Sequence, residues 1–292
     1  MSYGVTLLIV TGLCWVLIAV VISMAARKQL DLNYIQALSA LLCVVIAGVS
    51  LNTIPRDGTQ PGFSLALTIF AAGVGNYLMI KLMNTGMARG HNGIVWGITQ
   101  SALILPFLMG IFFFGVMPTA TRCCGVGLIL LAIILFSRVQ STSKHEGRYW
   151  LLPTLGAFLC AGASQCCANF PSYAHHAQVS CLYRLCWTQL GVFATFAIDS
   201  LLTRKKWRPQ GTLLPVLILS AVNVVSLPFF FYRGLNIVAQ CGSGSIGYPI
   251  AIGTSIAGFF MYSRMILRER INGISLTGLL AVLLGIIIIS MA

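Results

Sequence analysis

The sequence predicts an all-α integral membrane protein with ten transmembrane helices, arranged as two five-helix repeats of opposite orientation. Three observations carry this expectation. Of 292 residues, 8% are charged and 58% hydrophobic, with a mean hydropathy of +0.92; a soluble domain carries roughly a quarter charged. Apolar runs close to 20 residues, the length that crosses about 30 Å of hydrocarbon, recur from end to end. Finally, a polar-marked stretch in the first half has a faint second copy in the other. A transmembrane β-barrel would instead alternate in segments of about ten residues, and no such pattern is present.

The spans follow from the breaks between apolar runs. The first, 4–25, ends in "SMAAR"; it is long for a signal-peptide core and lacks a positive leading segment, so it reads as a retained helix. "ARKQLDLN" separates it from 33–52, and "NTIPRDGTQPG" separates that from 63–84. The fourth and fifth spans, 92–114 and 119–137, are divided by "GVMP". "SRVQSTSKHEGR" at 137–148 is the longest polar stretch and falls at the midpoint. It divides the chain into a first repeat (1–138), a connecting loop (139–149) and a second repeat (150–292). The second repeat supplies 150–169, 179–202, 213–234, 244–267 and 274–291, with short connections that leave no room for a soluble domain.

Charge sets an orientation. Of the 18 Lys and Arg residues, 14 fall on the side reached after spans 1, 3, 5, 7 and 9, and only Arg56, Arg122, Arg184 and Arg233 fall on the other. The positive-inside rule places the first side in the cytoplasm and both termini outside it. The net charge of +13 is spread over these short loops, which is not the footprint of a nucleic-acid binder.

The internal match pairs "KLMNTGMARGHNGIVWG" (81–97) with "RGLNIVAQCGSGSIGYP" (233–249). Lys81 meets Arg233, Asn84 meets Asn236, Gly90 meets Gly242 and Trp96 meets Tyr248. "GVGLILLAIILFS" (125–137) likewise meets "GLLAVLLGIIIIS" (278–290). With five helices per half, the second copy enters the membrane inverted, so Lys81 and Arg233 fall at opposite ends. Two such halves can exchange conformations, with a solute held near the midplane between them.

Polar groups at membrane depth face protein or a water-filled cavity. Asn92, Trp96 and Gln100 recur at i, i+4 and i+8 and share one helix face. Gln165 and Asn169 form a second i, i+4 pair, and Asn76, Tyr77 and Asn223 can complete a ring of donors and acceptors. Trp15, and Tyr248 as the repeat mate of Trp96, add aromatic surface. All ten are candidate substrate-binding residues; hydrogen bonding between helices is the rival role for the polar ones. Pro249, next to Tyr248, predicts a kink in the ninth span. Lys81 and Arg233 read as snorkelling cations or as gating or coupling groups. Asp199 is expected to pair with the adjoining "TRKK", Arg184 to be structural, and His175 and His176 to lie in a loop. The ten cysteines lie mostly inside apolar runs and form no zinc framework, so they read as packing residues.

Several stretches resemble the drug/metabolite transporter superfamily. "LRERINGISLTGLLAVLLGIIII" (267–289) matches the way each half of those proteins closes, with Glu269 as the acidic residue; the first half has Val116 near that position. "GVGNYLMIKLMNTGMARGHNGIVWGIT", "CAGASQCCANFPSY" and "LPFFFYRGLN" are similar to helices 3–4, 6 and 8 of its rhamnose–proton symporter and glucose-uptake branch. The glutamate in helix 1 that marks the small multidrug-resistance members is absent. The resemblance implies a secondary transporter working by alternating access, a sugar-like solute favoured, in a multi-pass cell membrane such as a bacterial cytoplasmic membrane. Export of amines, amino acids or drug-like cations is the alternative, and a non-transporting receptor or scaffold the second. An enzyme is not expected, since HExxH, GxSxG and paired carboxylates are missing. The expected partners are a small-molecule substrate and lipid, with no cofactor, metal or nucleic acid, in a monomer or homodimer. No acidic residue lies mid-span, so coupling stays open among uniport, exchange and symport.

Overall fold

A computed structural model of the chain describes residues 2–53, 58–114, 119–137, 149–173, 179–204, 209–240, 247–269 and 272–291. About 89% of the described residues are helical, with no strand among them. The helices are α1 (Ser2–Lys28), α2 (Leu32–Thr53), α3 (Phe63–Arg89), α4 (Asn92–Gln100), α5 (Ile104–Phe114), α6 (Ala120–Ser137), α7 (Leu151–Tyr173), α8 (Cys181–Thr203), α9 (Leu213–Val225), α10 (Arg233–Gln240), α11 (Gly247–Met265) and α12 (Gly273–Met291). A 3₁₀ turn, Ser101–Leu103, joins α4 to α5, and a π segment, Ser226–Tyr232, joins α9 to α10. Among the described residues, six helices are long and apolar enough to cross a membrane. The chain is therefore a helical protein built for a bilayer.

Helix ends overrun the apolar runs that predicted them. α1 continues to Lys28 and α3 to Arg89. Hydropathy marks where hydrocarbon stops, whereas backbone hydrogen bonding continues into the interface, where Lys, Arg and Asn still sit readily in a helix. Two breaks have prolines behind them. Pro228 cannot donate within the π segment, and Pro106 follows the 3₁₀ turn; each withdraws one i→i−4 bond and forces local rewinding. Pro249 lies in α11, Gly247–Met265.

The interior is assembled from close helix pairs. α3 lies along α7 and α8, α2 along α8 and α9, α1 along α11, α10 and the π segment, α4 along α11 and α7, and α6 along α12. Association inside a bilayer depends on close van der Waals contact, which small residues permit. At the α3–α7 crossing a Cβ on Gly75 would stand 3.1 Å from both the Cys160 carbonyl oxygen and the Ser164 side chain. Ser164 exploits that approach, donating its hydroxyl to the Ala72 carbonyl at 2.7 Å. Large apolar side chains such as Leu13, Val49, Phe112, Phe113, Ile134 and Leu201 point outward. That is an unstable surface in water and an ordinary one in lipid.

One end of the bundle gathers the C-termini of α1, α3, α8 and α11, with Arg27, Lys28, Lys81, Arg89, Arg204, Arg264 and Arg268 among its residues. We call it the basic end. Gln29, Arg204 and Arg268 adopt positive φ there, turning the chain out of α1, α8 and α11. At the far end the connector before α3 meets that before α8, where the Ser180 N–H donates to the Thr59 carbonyl at 3.1 Å.

Candidate functional site

The residues singled out by the sequence fall into three groups. The first is aromatic. Trp15 of α1 and Tyr248 of α11 both pack on Phe231 of the π segment, with ring centroids 5.0 and 4.8 Å away. Trp15 and Tyr248 are half-buried, and each touches two separate apolar clusters of the interior. Tyr232 continues the group beside Phe231, and the buried Arg184 guanidinium lies 5.4 Å over its ring, a cation–π arrangement. The expectation brought Trp15 and Tyr248 to one place, but missed the phenyl ring between them.

The second group lies on α4. Trp96 is buried and tilts against Phe259 of α11 at 5.6 Å, and Phe259 stacks on Tyr262. The Trp96 indole N–H has no hydrogen-bond acceptor among the described residues, and neither does the Gln165 side-chain carbonyl have a donor. Buried polar atoms are rarely left this way. Gln100 is buried one turn beyond Trp96, while the Thr99 hydroxyl returns to the Val95 carbonyl at 2.9 Å. Asn76 and Gln165 are sequence neighbours of Gly75 and Ser164, and so flank the α3–α7 crossing. Asn223 is half-buried on α9. Asn169 lies on α7, its side chain outside the described residues, as are His175, His176 and Val116 altogether. Buried Gln36 of α2, with neither amide atom hydrogen-bonded among the described residues, is a further polar group at depth; a lone glutamine in an apolar run is its signal in the sequence.

The third group is ionic and sits at the basic end. Asn92 is not simply the first residue of a cavity face. Its backbone N–H and side-chain amide donate to one oxygen of Glu269 at 3.1 and 2.6 Å. The Gly93 N–H reaches the other oxygen at 3.4 Å, and the Ser263 hydroxyl donates to it as well. Arg27 of α1 completes the set 3.5 Å away. Glu269 is buried, so these donors replace the water it has lost. Asp199 of α8 meets α3 in the same region: the Lys81 ammonium lies 2.7 and 2.8 Å from its two oxygens, and the Tyr77 hydroxyl donates to it at 2.7 Å. The sequence suggests a partner for Asp199 next door in "TRKK"; the structure also gives it one 118 residues away. Tyr77 is fully buried against Phe196, so its hydroxyl is committed to this carboxylate. Arg233, which the sequence comparison aligns with Lys81, is exposed at the start of α10.

No family model and no curated protein matches the sequence. In fold, 24 chains of solved structure match. One, described as "Crystal structure of protein", covers 99% of this chain and 96% of its own, with a TM-score of 0.54 and 14% sequence identity. At that identity the likeness is one of fold.

Proposed function

We propose that this chain is a secondary transporter of a small polar organic solute, a sugar-like metabolite favoured, working by alternating access between two inverted halves. The observation that carries the reading is a set of helix packings that survives exchange of the halves. Let α1, α2, α3, α4–α5 and α6 stand for α7, α8, α9–α10, α11 and α12. The packing of α3 on α7 then becomes that of α9–α10 on α1, and α3 on α8 becomes α9 on α2. Likewise α1 on α11 becomes α7 on α4–α5, while α2 on α8 and α6 on α12 map onto themselves. Each of these packings is present. Gly4, which lets α1 approach Ile237 and Val238, corresponds to Gly156, which lets α7 approach Leu82. Their separation, 156 − 4 = 152, equals that of Lys81 and Arg233, 233 − 81. Halves built alike but inverted have two arrangements of similar energy, which alternating access requires.

The solute site we assign to the surface between the halves. Trp15, Phe231 and Tyr248 form one wall, and Trp96, Gln100 and Gln165 offer polar atoms. An aromatic platform with amide partners suits a ring-shaped polar solute. In this reading the basic end faces the cytoplasm and both termini lie outside it. A reporter fused to the C-terminus is expected to read extracytoplasmic; a cytoplasmic signal sinks that orientation.

The deciding experiment is a thermal-shift screen of sugars, amines and amino acids on purified protein, followed by uptake into proteoliposomes. A stabilising solute is expected to lose its effect in Trp15→Ala and Tyr248→Ala. Trp96→Phe removes the indole N–H while keeping an aromatic ring. If the N–H serves the solute, its loss weakens binding by about tenfold; if it is merely buried, the variant melts lower because the smaller ring leaves a cavity, and binding by the folded protein is unchanged. Absence of transport under every gradient would favour a receptor or scaffold.

A further inference from the structure

Resting on the transporter reading, we infer that Glu269 is the gating residue of the basic end: from the second half, it clamps shut the start of α4 in the first. Every α-helix begins with N–H groups that have no partner of their own. His91, at the N-cap position of α4, provides no side-chain hydrogen bond to them. Glu269 does so instead, 177 residues further on, accepting from the N–H groups of Asn92 and Gly93. A carboxylate there also meets the positive end of the helix dipole.

The carboxylate is aimed rather than trailing. α11 ends at Met265, Arg268 takes φ +54°, and the Glu269 N–H returns to the Ser263 carbonyl at 3.2 Å. The Ser263 hydroxyl and the Arg27 guanidinium then hold the side chain, so α1, α4 and α11 meet on one buried acid. α4 carries Trp96 and α11 carries Tyr248 and Phe259. Opening the solute path toward the basic end parts the start of α4 from the end of α11, which severs the α4 bonds to Glu269.

The device is one-sided. The repeat offset at this point is 278 − 125 = 153, and it sets Glu269 against Val116. Valine has no charge with which to cap a helix, so the aligned position of the first half supplies no carboxylate of this kind. Glu269 therefore biases the empty transporter toward the state shut at the basic end.

The test is hydrogen–deuterium exchange on the full-length protein in proteoliposomes, without solute. Glu269→Gln is expected to speed exchange at Asn92 and Gly93 by about tenfold, since the lost bonds are charge-assisted. It is also expected to slow exchange in the first turns of α1 and in α10, because opening one end closes the other. Asn92→Ala, which keeps both backbone bonds, should shift both ends the same way by less, and carries the test if Glu269→Gln does not fold. Faster exchange at α4 with no slowing at the far end would mean a local cap and overturn the gate. So would no change at either end. Both outcomes leave the transporter reading standing. That reading fails separately if no stabilising solute moves the two ends of the wild-type protein in opposite directions.

Discussion

Gly73→Val will not give a folded protein. Gly73 of α3 and Gly191 of α8 meet where the two helices cross, backbone against backbone. A Cβ at Gly73 would overlap the Thr188 carbonyl oxygen and stand 2.9 Å from the Gly191 Cα and the Val192 nitrogen. A Cβ at Gly191 would overlap the Phe70 carbonyl oxygen in turn. Overpacking a core costs about 1–3 kcal/mol when side chains can give way; here the obstacle is a helix backbone, so the cost exceeds that range. α3 also packs along α7, so it cannot back away without opening a second contact. The expected result is loss of the monodisperse peak in size exclusion and no cooperative melt. Gly48→Val is the control: a Cβ there meets nothing within 4 Å, and yield and melting should match wild type. A Gly73→Val protein that behaves like this control would mean that α3 and α8 do not cross as described.

The second large effect is at the ion pair between the halves. Asp199→Asn and Lys81→Met should each destabilise the protein more than the double variant does. Truncating one partner of a fully buried pair costs about 3–5 kcal/mol because the survivor is left uncompensated, whereas an exposed pair is worth about 0–1 kcal/mol. The Lys81 and Asp199 side chains are 36% and 22% exposed. An intermediate cost of about 1–3 kcal/mol is therefore expected for each single variant. Lys81→Met leaves the Tyr77 hydroxyl still donating to Asp199, whereas Asp199→Asn takes the negative charge from both Lys81 and Tyr77. The double variant should recover much of the loss, because neither charge is then left without its counterpart. Melting curves for the four corners of this cycle measure the coupling directly. Additive losses would show that the two charges do not depend on one another.

The helices were legible because hydrocarbon imposes one simple demand, an unbroken apolar run of sufficient length. Phe63, after "QPG", begins both the predicted third span and α3, and Asn92 begins both the fourth span and α4. The site was legible only as chemistry. Trp15, Tyr248 and Trp96 stood out as aromatic or polar groups at depth, and the packing brings two of them onto one ring. The ring itself, Phe231, could not stand out, because a phenylalanine in "LPFFFY" carries no pattern separating a wall of a site from a contact with lipid. Partnerships were the least legible part. Asn92 reads from the sequence as the start of a polar helix face shared with Trp96 and Gln100, and nothing within 170 residues of it hints at Glu269. Asp199 looked like one half of a local ion pair because its sequence neighbours are basic; the helix crossing that delivers Lys81 and Tyr77 is a property of the fold.

The Glu269 cap has a consequence for how the protein is made. α4 is complete once its first turns leave the ribosome, yet the carboxylate that satisfies its leading N–H groups is 177 residues downstream. At translation rates of about 5–20 residues per second, that gap is roughly 10 to 35 s. During that interval water at the bilayer surface must serve those donors, and the start of α4 remains a loose end of the nascent chain. The clamp closes only as the last helix, α12, is being inserted. Completion of the second half is thus what seals the first, and a nascent chain cut short before Glu269 would leave a target that quality-control proteases can seize.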